Sequence, residues 1–230
     1  MSVRSNMRTN TKSNLLATIR PLGRAKIVEA GAHLFEQDDE CNGVYLLESG
    51  LVGLRKLNDD GTTMLVNLAR SGDFFGYAPL LTDADHEAGA EVLQTSHVVF
   101  FDLTAMRRLI RELADLLPEL LRQATRDLAR LEEMHLQMAT RQAHERLAAL
   151  LLSFNENANH QERASCSFTL PLMNKDLADL MGIRPETLSR AIGHLRSAGL
   201  AELRGHMVNI PSIAKLARLG RCSGQSAFAA

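Results

Sequence analysis

The stretch DLADLMGIRPETLSRAIGHLRSAGL, residues 176–200, limits the possible folds more than any other segment of the chain. Apolar residues recur along it at helical spacing, break at Gly182, and resume after Pro185. Leu177, Ala178, Met181, Ile183, Leu188 and Ala191 take the buried positions of two helices joined by a tight turn. Ala178 is small enough for the second helix to approach, and Gly182 gives the turn its backbone freedom. Pro185 suits the first turn of a helix, where its missing N–H would have had no partner. The pattern predicts a helix-turn-helix with Glu186, Ser189, Arg190, Gly193 and His194 facing outward. Downstream, GLAELRGHMVNI reads as a hairpin turning at Arg204 and Gly205, a wing, and Pro211 closes it before a last short helix.

Glu186 and Arg190 are four residues apart on one helix, so they could simply pair on a solvated face. They are also a matched pair for a G·C base pair in the major groove. Arginine gives two donors to guanine N7 and O6, and a carboxylate accepts from cytosine N4. A carboxylate placed against phosphates is a poor choice on charge alone, so base reading by Glu186, Ser189 and Arg190 is expected. Arg184, Thr187, His194, Arg196 and Arg204 are the expected contacts to the DNA backbone, which position without specifying. Net charge is only −1, yet it is unevenly spread. Acidic residues dominate between residues 27 and 115, and basic ones from 163 onward. Only the rear of the chain is suited to a polyanion.

In front of this unit the period is that of strands. HLFEQ, GVYLLESGLVGLRKL, TTMLVNLA and HVVFFDL are short and rich in Val, Leu and Phe. CNG, ESG, NDDG and RSGD read as the turns between them, which suggests a small antiparallel barrel or roll. From about residue 104 the period becomes helical. Leu117, Leu121, Ala124, Leu128, Leu131, His135 and Met138 follow alternating steps of four and three, a heptad seam suited to a second copy of the chain. A second helix, RQAHERLAALLLSFNE, leads towards the helix-turn-helix.

Several function classes fall away. No apolar run approaches the ~18 residues of a membrane span, and MSVRSNMRTNTKSN lacks the apolar block of a signal peptide. A cytoplasmic protein with no membrane partner is expected. Cys41, Cys166 and Cys222 lie far apart with no C-x-x-C pair, against a disulfide framework, a zinc site or a four-cysteine cluster. The strands carry no H-x-H set, against a cupin-like metal oxygenase, so no metal site and no enzyme activity are expected. A dimeric scaffold using its winged helix on protein stays as the alternative.

ESGLVGLRK, SGDFFGY, AHERLAALLLSF and KDLADLMGIRPETLSRAIGHLRSAGL, in this order, resemble the Crp/Fnr family of bacterial transcription regulators. The resemblance implies an α+β chain in four parts. These are an N-terminal tail and short helix (1–26), a cyclic-nucleotide-binding-like sensor β-roll (27–115), a dimerisation helix (116–140), and a winged helix-turn-helix (141–225). It implies a homodimer on double-stranded DNA that recruits RNA polymerase as an activator. The Fnr-type pattern E-x-x-S-R is present as Glu186, Ser189 and Arg190, while Pro185 stands where the cAMP receptor type has arginine. TTGAT half-sites are therefore implied, as are target genes of anaerobic or nitrogen-oxide respiration, or a FixK-like role. Regulation of another stress, independent of cAMP, is the alternative.

In the family's phosphate cassette, Tyr77 after Gly76 stands where the ribose-binding glutamate belongs, and Glu87 and Ala88 stand where an R-S pair holds the phosphate. By that comparison neither cAMP nor an N-terminal iron–sulfur cluster is expected, since the first cysteine is Cys41. Haem is an open option, with His33, His86 and His97 as candidate ligands. Otherwise the small-molecule signal is unknown.

Overall fold

The structure, a computed structural model, describes residues 12–155 and 164–220. Cys222, the first residues of the expected tail and the last of the expected winged unit lie outside them.

Residues 12–19 form a helix, α1, followed by a 3-10 turn at Arg20–Leu22. Six antiparallel strands come next: β1 (Arg24–Val28), β2 (His33–Phe35), β3 (Gly43–Leu57), β4 (Thr63–Ala69), β5 (Phe74–Phe75) and β6 (Gly89–Asp102). They form one sheet in the order β1-β6-β3-β4, with β2 also on β6 and β5 also on β3. Every one of these strands gives side chains to a single inner cluster around Leu47, Val52, Phe75, Val92 and Val98, so the sheet closes on itself as a roll. The strands begin at Arg24, three residues before the expected boundary, because Arg24–Val28 pairs along Phe100–Ser96 although four of its five residues are exposed.

The expected turn at ESG is a bulge. Glu48, Ser49 and Gly50 lie inside continuous strand β3, and its register against β6 slips between Leu47 and Val52. Gly50 has φ 100°, and a Cβ there would meet the Ser96 backbone at 2.7 Å, so glycine is needed on both counts. The slip changes which residues face inward. Tyr45 and Leu47 point into the roll before it, and Val52 and Leu54 after it.

A second core lies between roll and helices. It holds Leu15 and Ile19 of α1, Val44 and Leu46 of β3, Met106 and Leu109, and Leu116 and Leu120. The last four belong to α3 (Leu103–Glu112) and α4 (Leu116–Thr140). Asp102 starts α3 by accepting the Ala105 N–H at 2.8 Å. A short helix, α2 (Ala78–Thr82), sits between β5 and β6. The boundary between the chain's two compact units falls inside α4, between Thr125 and Arg126.

The second unit contains α5 (Ala143–Phe154), β7 (Cys166–Thr169), α6 (Asn174–Met181), α7 (Pro185–Ser197), β8 (Glu202–Arg204), β9 (Met207–Ile210) and α8 (Ile213–Gly220). The wing is three-stranded, in the order β7-β9-β8, and β7 was not foreseen as a strand. Glu145 closes the start of α5 by accepting the Gln142 N–H at 2.8 Å. The fold is α+β. Among the described residues no helix is long and apolar enough to cross a membrane.

Candidate nucleic-acid interface

The recognition face is built from the turn outward. Asp176, buried in the first turn of α6, accepts the Met173 N–H at 2.9 Å and fixes the helix start. At the other end Gly182 adopts φ 58°, where its N–H reaches the Asp179 carbonyl and Ile183 N–H reaches that of Ala178. Arg146 of α5 donates from Nη1 to the Met181 carbonyl at 2.7 Å, tying the same turn to the helix beneath it. Arg184 is extended, and α7 begins at Pro185. Leu177, Ala178, Met181, Leu188 and Ala191 are buried as expected, joined by Leu195, while Ile183 is only half-buried.

The opposite side of α7 is open. Glu186, Ser189 and Arg190 are all exposed. Among the described residues, Glu186 and Arg190 form no ion pair with each other or with any neighbour, so the pairing alternative is not realised. Arg184 and Arg196 are exposed as well. A Cβ at Gly193 would have nothing within 4 Å, so this flank lets a second surface come close. Thr187 is half-buried, its N–H donated to the Arg184 carbonyl at 2.9 Å.

Two expected backbone contacts are engaged inside the chain. His194 stacks on His144 of α5, with ring centroids 3.9 Å apart. Burial first, and then the neighbouring His194, hold the His144 pKa below its ordinary value, against an upward pull from Glu145. Arg204, at the wing tip, donates from Nε and Nη2 to Glu202 at 2.8 Å, although its side chain is 80% exposed.

On α4, Leu116, Glu119, Leu120 and Gln123 are buried within the first unit. The seam residues form a separate stripe, with Leu121, Leu128 and Leu131 exposed by 52%, 56% and 50%. Leu117 and His135 are also exposed, and Ala124 is half-buried. Met138, 38% exposed, also reaches the second unit's turn: its terminal methyl lies where a Cβ at Gly182 would sit. Leu136, off the heptad, is 55% exposed and was not foreseen.

The four residues expected to shape a sensor pocket have different surroundings. Tyr77 packs against the helix-side core, as do Leu80, Ile110 and Leu113. Glu87 points to the surface and pairs with Lys56 Nζ at 3.1 Å. Ala88 is half-buried, and Gly76 (φ 67°) lies under Phe35 and His86. The roll interior is occupied by stacked rings instead. Tyr45 and Phe75 are 5.2 Å apart, Phe35 and Tyr45 5.7 Å, and Phe35 and His86 3.9 Å. Burial lowers the His86 pKa, opposed by Asp39 and Asp85. His33 is exposed and 2.6 Å from Glu36, and His97 is exposed elsewhere on β6. Burial raises the pKa of Cys41 and of Cys166, which leaves both as neutral thiols. Among the described residues, no three or more His, Cys, Asp or Glu side chains gather in a metal-holding group.

A roll of this topology, a long helix and a winged helix-turn-helix with an open polar face together define a DNA-binding transcription regulator. Residues 25–112 match the cyclic nucleotide-binding domain family, and residues 145–219 the Crp-like helix-turn-helix domain family. The chain belongs to the Crp/Fnr family of transcription regulators and is not an enzyme. It is 25% identical to the fumarate and nitrate reduction regulatory protein of Vibrio cholerae over 203 residues, 88% of this chain and 81% of that one. It is 29% identical to a probable transcriptional activator of Rhizobium leguminosarum bv. viciae, over 87% of this chain and 84% of that one. Its fold is similar to that of FixK2 from Bradyrhizobium japonicum, with a TM-score of 0.72 and 21% identity over 88% and 99% of the two chains.

Proposed function

We propose that this chain acts as a homodimer on palindromes of the form TTGAT-N4-ATCAA and activates genes of anaerobic or nitrogen-oxide respiration through RNA polymerase. One observation carries the reading: Glu186, Ser189 and Arg190 share one exposed face of α7, with no partner for either charge among the described residues. An arginine and a carboxylate left open at this spacing match guanine and cytosine edges, and an apolar stripe on α4 suits a second copy. Two such helices, one per protomer, would enter successive major grooves about 34 Å apart. A signal in the first unit then changes the population of dimers with both heads correctly spaced. The names of relatives that regulate fumarate and nitrate reduction support the physiological part.

Fluorescence anisotropy on the palindrome tests this directly. Tight binding is expected on the intact site, with loss when the G·C pair of each half-site is transverted. Equal affinity for both DNAs would overturn sequence-specific reading, and absence of DNA binding would favour the scaffold.

A further inference from the structure

Phe35, Tyr45 and Phe75 pack ring against ring inside the roll, and a separate cleft opens on its outside. A cavity of about 450 Å³ lies between α1 and the bulge of β3. That volume falls in the range of small-molecule sites, ~300–1,000 Å³. One wall is the helix, with Leu16 and Ala17 offering apolar surface. The facing wall is fixed by the bulge: Ser71 Oγ donates to the Glu48 carbonyl at 2.6 Å, and Gly72 N–H to that of Leu47 at 2.7 Å. Two lining groups can donate to an anion, the hydroxyl of Ser49 and the imidazole of His97, whereas the Ser71 proton is already given to the Glu48 carbonyl. The third is Arg20, whose Nε and Nη2 engage Glu48, itself in the wall. A guanidinium has five N–H donors, so others remain for a second carboxylate.

We propose that this cavity is an effector site and that its ligand is a small organic carboxylate, with its anionic end at Arg20 and His97 and an apolar body on Leu16 and Ala17. Inorganic nitrate or nitrite would leave most of the space and the apolar wall unused. The site also has a route to the dimer helix. Leu15 and Ile19 of α1 share a core with Leu116 and Leu120 of α4. Lys12 Nζ lies 3.7 Å from Glu119, a carboxylate only 3% exposed on the first turns of α4. A ligand that props or draws in α1 therefore loads the start of the helix that carries the exposed leucines. This coupling rests on the dimeric-regulator reading above, whereas binding does not.

The full-length protein is titrated with benzoate, hexanoate and, as a control, sodium nitrate, reading melting temperature and anisotropy on the palindrome. At least one organic carboxylate is expected to raise Tm saturably by a few degrees, while nitrate does not. Ala17→Phe, which fills the cavity from the exposed helix face, and Arg20→Ala should each abolish that shift. The same carboxylate should change DNA affinity in the wild type and not in Ala17→Phe. No Tm shift with either carboxylate, or a shift retained in both variants, would overturn the site. A shift that both variants lose, without any change in DNA affinity, would overturn the coupling. Intact palindrome binding under either failure leaves the functional reading standing, and no palindrome binding under any condition removes it.

Discussion

Met138 of α4 lies against Gly182 in the turn of the helix-turn-helix, so close that a Cβ at Gly182 would overlap its terminal methyl. The last turn of the long helix thus touches the turn that orients α7, both within the second unit. Arg146 Nη1 also holds this turn, through the Met181 carbonyl.

Gly182→Ala meets two costs of different kinds. A left-handed φ of 58° disfavours any L side chain by about 1–2 kcal/mol, and the overlap with Met138 adds to it. Met138 ends in a flexible chain, so the overlap is the smaller cost. Denaturant unfolding should show Gly182→Ala destabilised by about that amount, with Met138→Ala relieving only a minor part of it. Full rescue by Met138→Ala would mean that crowding, and not φ, dominates.

The helix-turn-helix was legible because its signals are local: Gly182, Pro185 and the burial of Leu177, Leu188 and Ala191 all follow from helical period and turn chemistry. The exposed apolar stripe of Leu121, Leu128 and Leu131 on α4 follows from the same helical period. The sensor was not. Glu48–Gly50 has turn composition, and only the partner strand β6 decides that it is a bulge. Resemblance to a cassette says where Tyr77 and Glu87 stand in the chain, whereas their surroundings are set by the helix-side core against which Tyr77 packs and by Lys56 on β3. The stack of His144 on His194 joins residues fifty positions apart and leaves no trace in periodicity.

Arg190 and Arg196 provide a contrast on one helix. Arg190→Ala should cost about 1–3 kcal/mol on the matched half-site and flatten discrimination at its G·C pair. Arg196→Ala should weaken binding on all sequences alike and reduce the salt slope by about one. Titrations on matched and G-substituted sites at several salt concentrations separate them. Equal losses on every sequence would remove Arg190 from the base-reading set.

Leu128, 56% exposed in the single chain, has no packing role that a charge would disrupt there. Leu128→Glu should leave the fold and circular dichroism unchanged. At a seam between two copies the same charge is buried without a partner, a loss of about 3–5 kcal/mol. Light scattering should therefore give monomers, and binding to the full palindrome should be lost. A mutant that stays dimeric would place the interface elsewhere.

The depressed pKa of His144 gives a signed pH effect. Between the lowered native value and the ordinary 6.5, the unfolded chain holds more protons than the folded one. Stability contributed by the neutral form of His144 is present above 6.5 and declines as pH falls through that window. His86 acts in the same direction in the other unit, so the comparison that isolates His144 is wild type against His144→Gln. The fall in Tm on acidification should be smaller in the variant, and the His144 ring resonance should titrate below 6.5 in NMR. Parallel Tm curves with an ordinary midpoint would show that the stack does not disfavour the imidazolium.

The filled roll makes a last prediction about cyclic nucleotides. Phe75 is 2% exposed and packs among Tyr45, Phe35, Val52 and Val98. Its removal leaves a cavity that the fixed strand backbones cannot fully close, so Phe75→Ala should cost about 3–5 kcal/mol in denaturant unfolding. A cAMP molecule entering the wild-type roll would have to displace these same rings. It would find neither of the cassette groups there, because Tyr77 is in the other core and Glu87 is at the surface with Lys56. Calorimetric titration of cAMP into the wild type should give no heat above dilution, and affinity for the palindrome should be unchanged by it. Saturable cAMP binding at micromolar concentration would show that the aromatic stack opens, and Phe75→Ala would then be expected to bind more tightly still, since the space is already cleared.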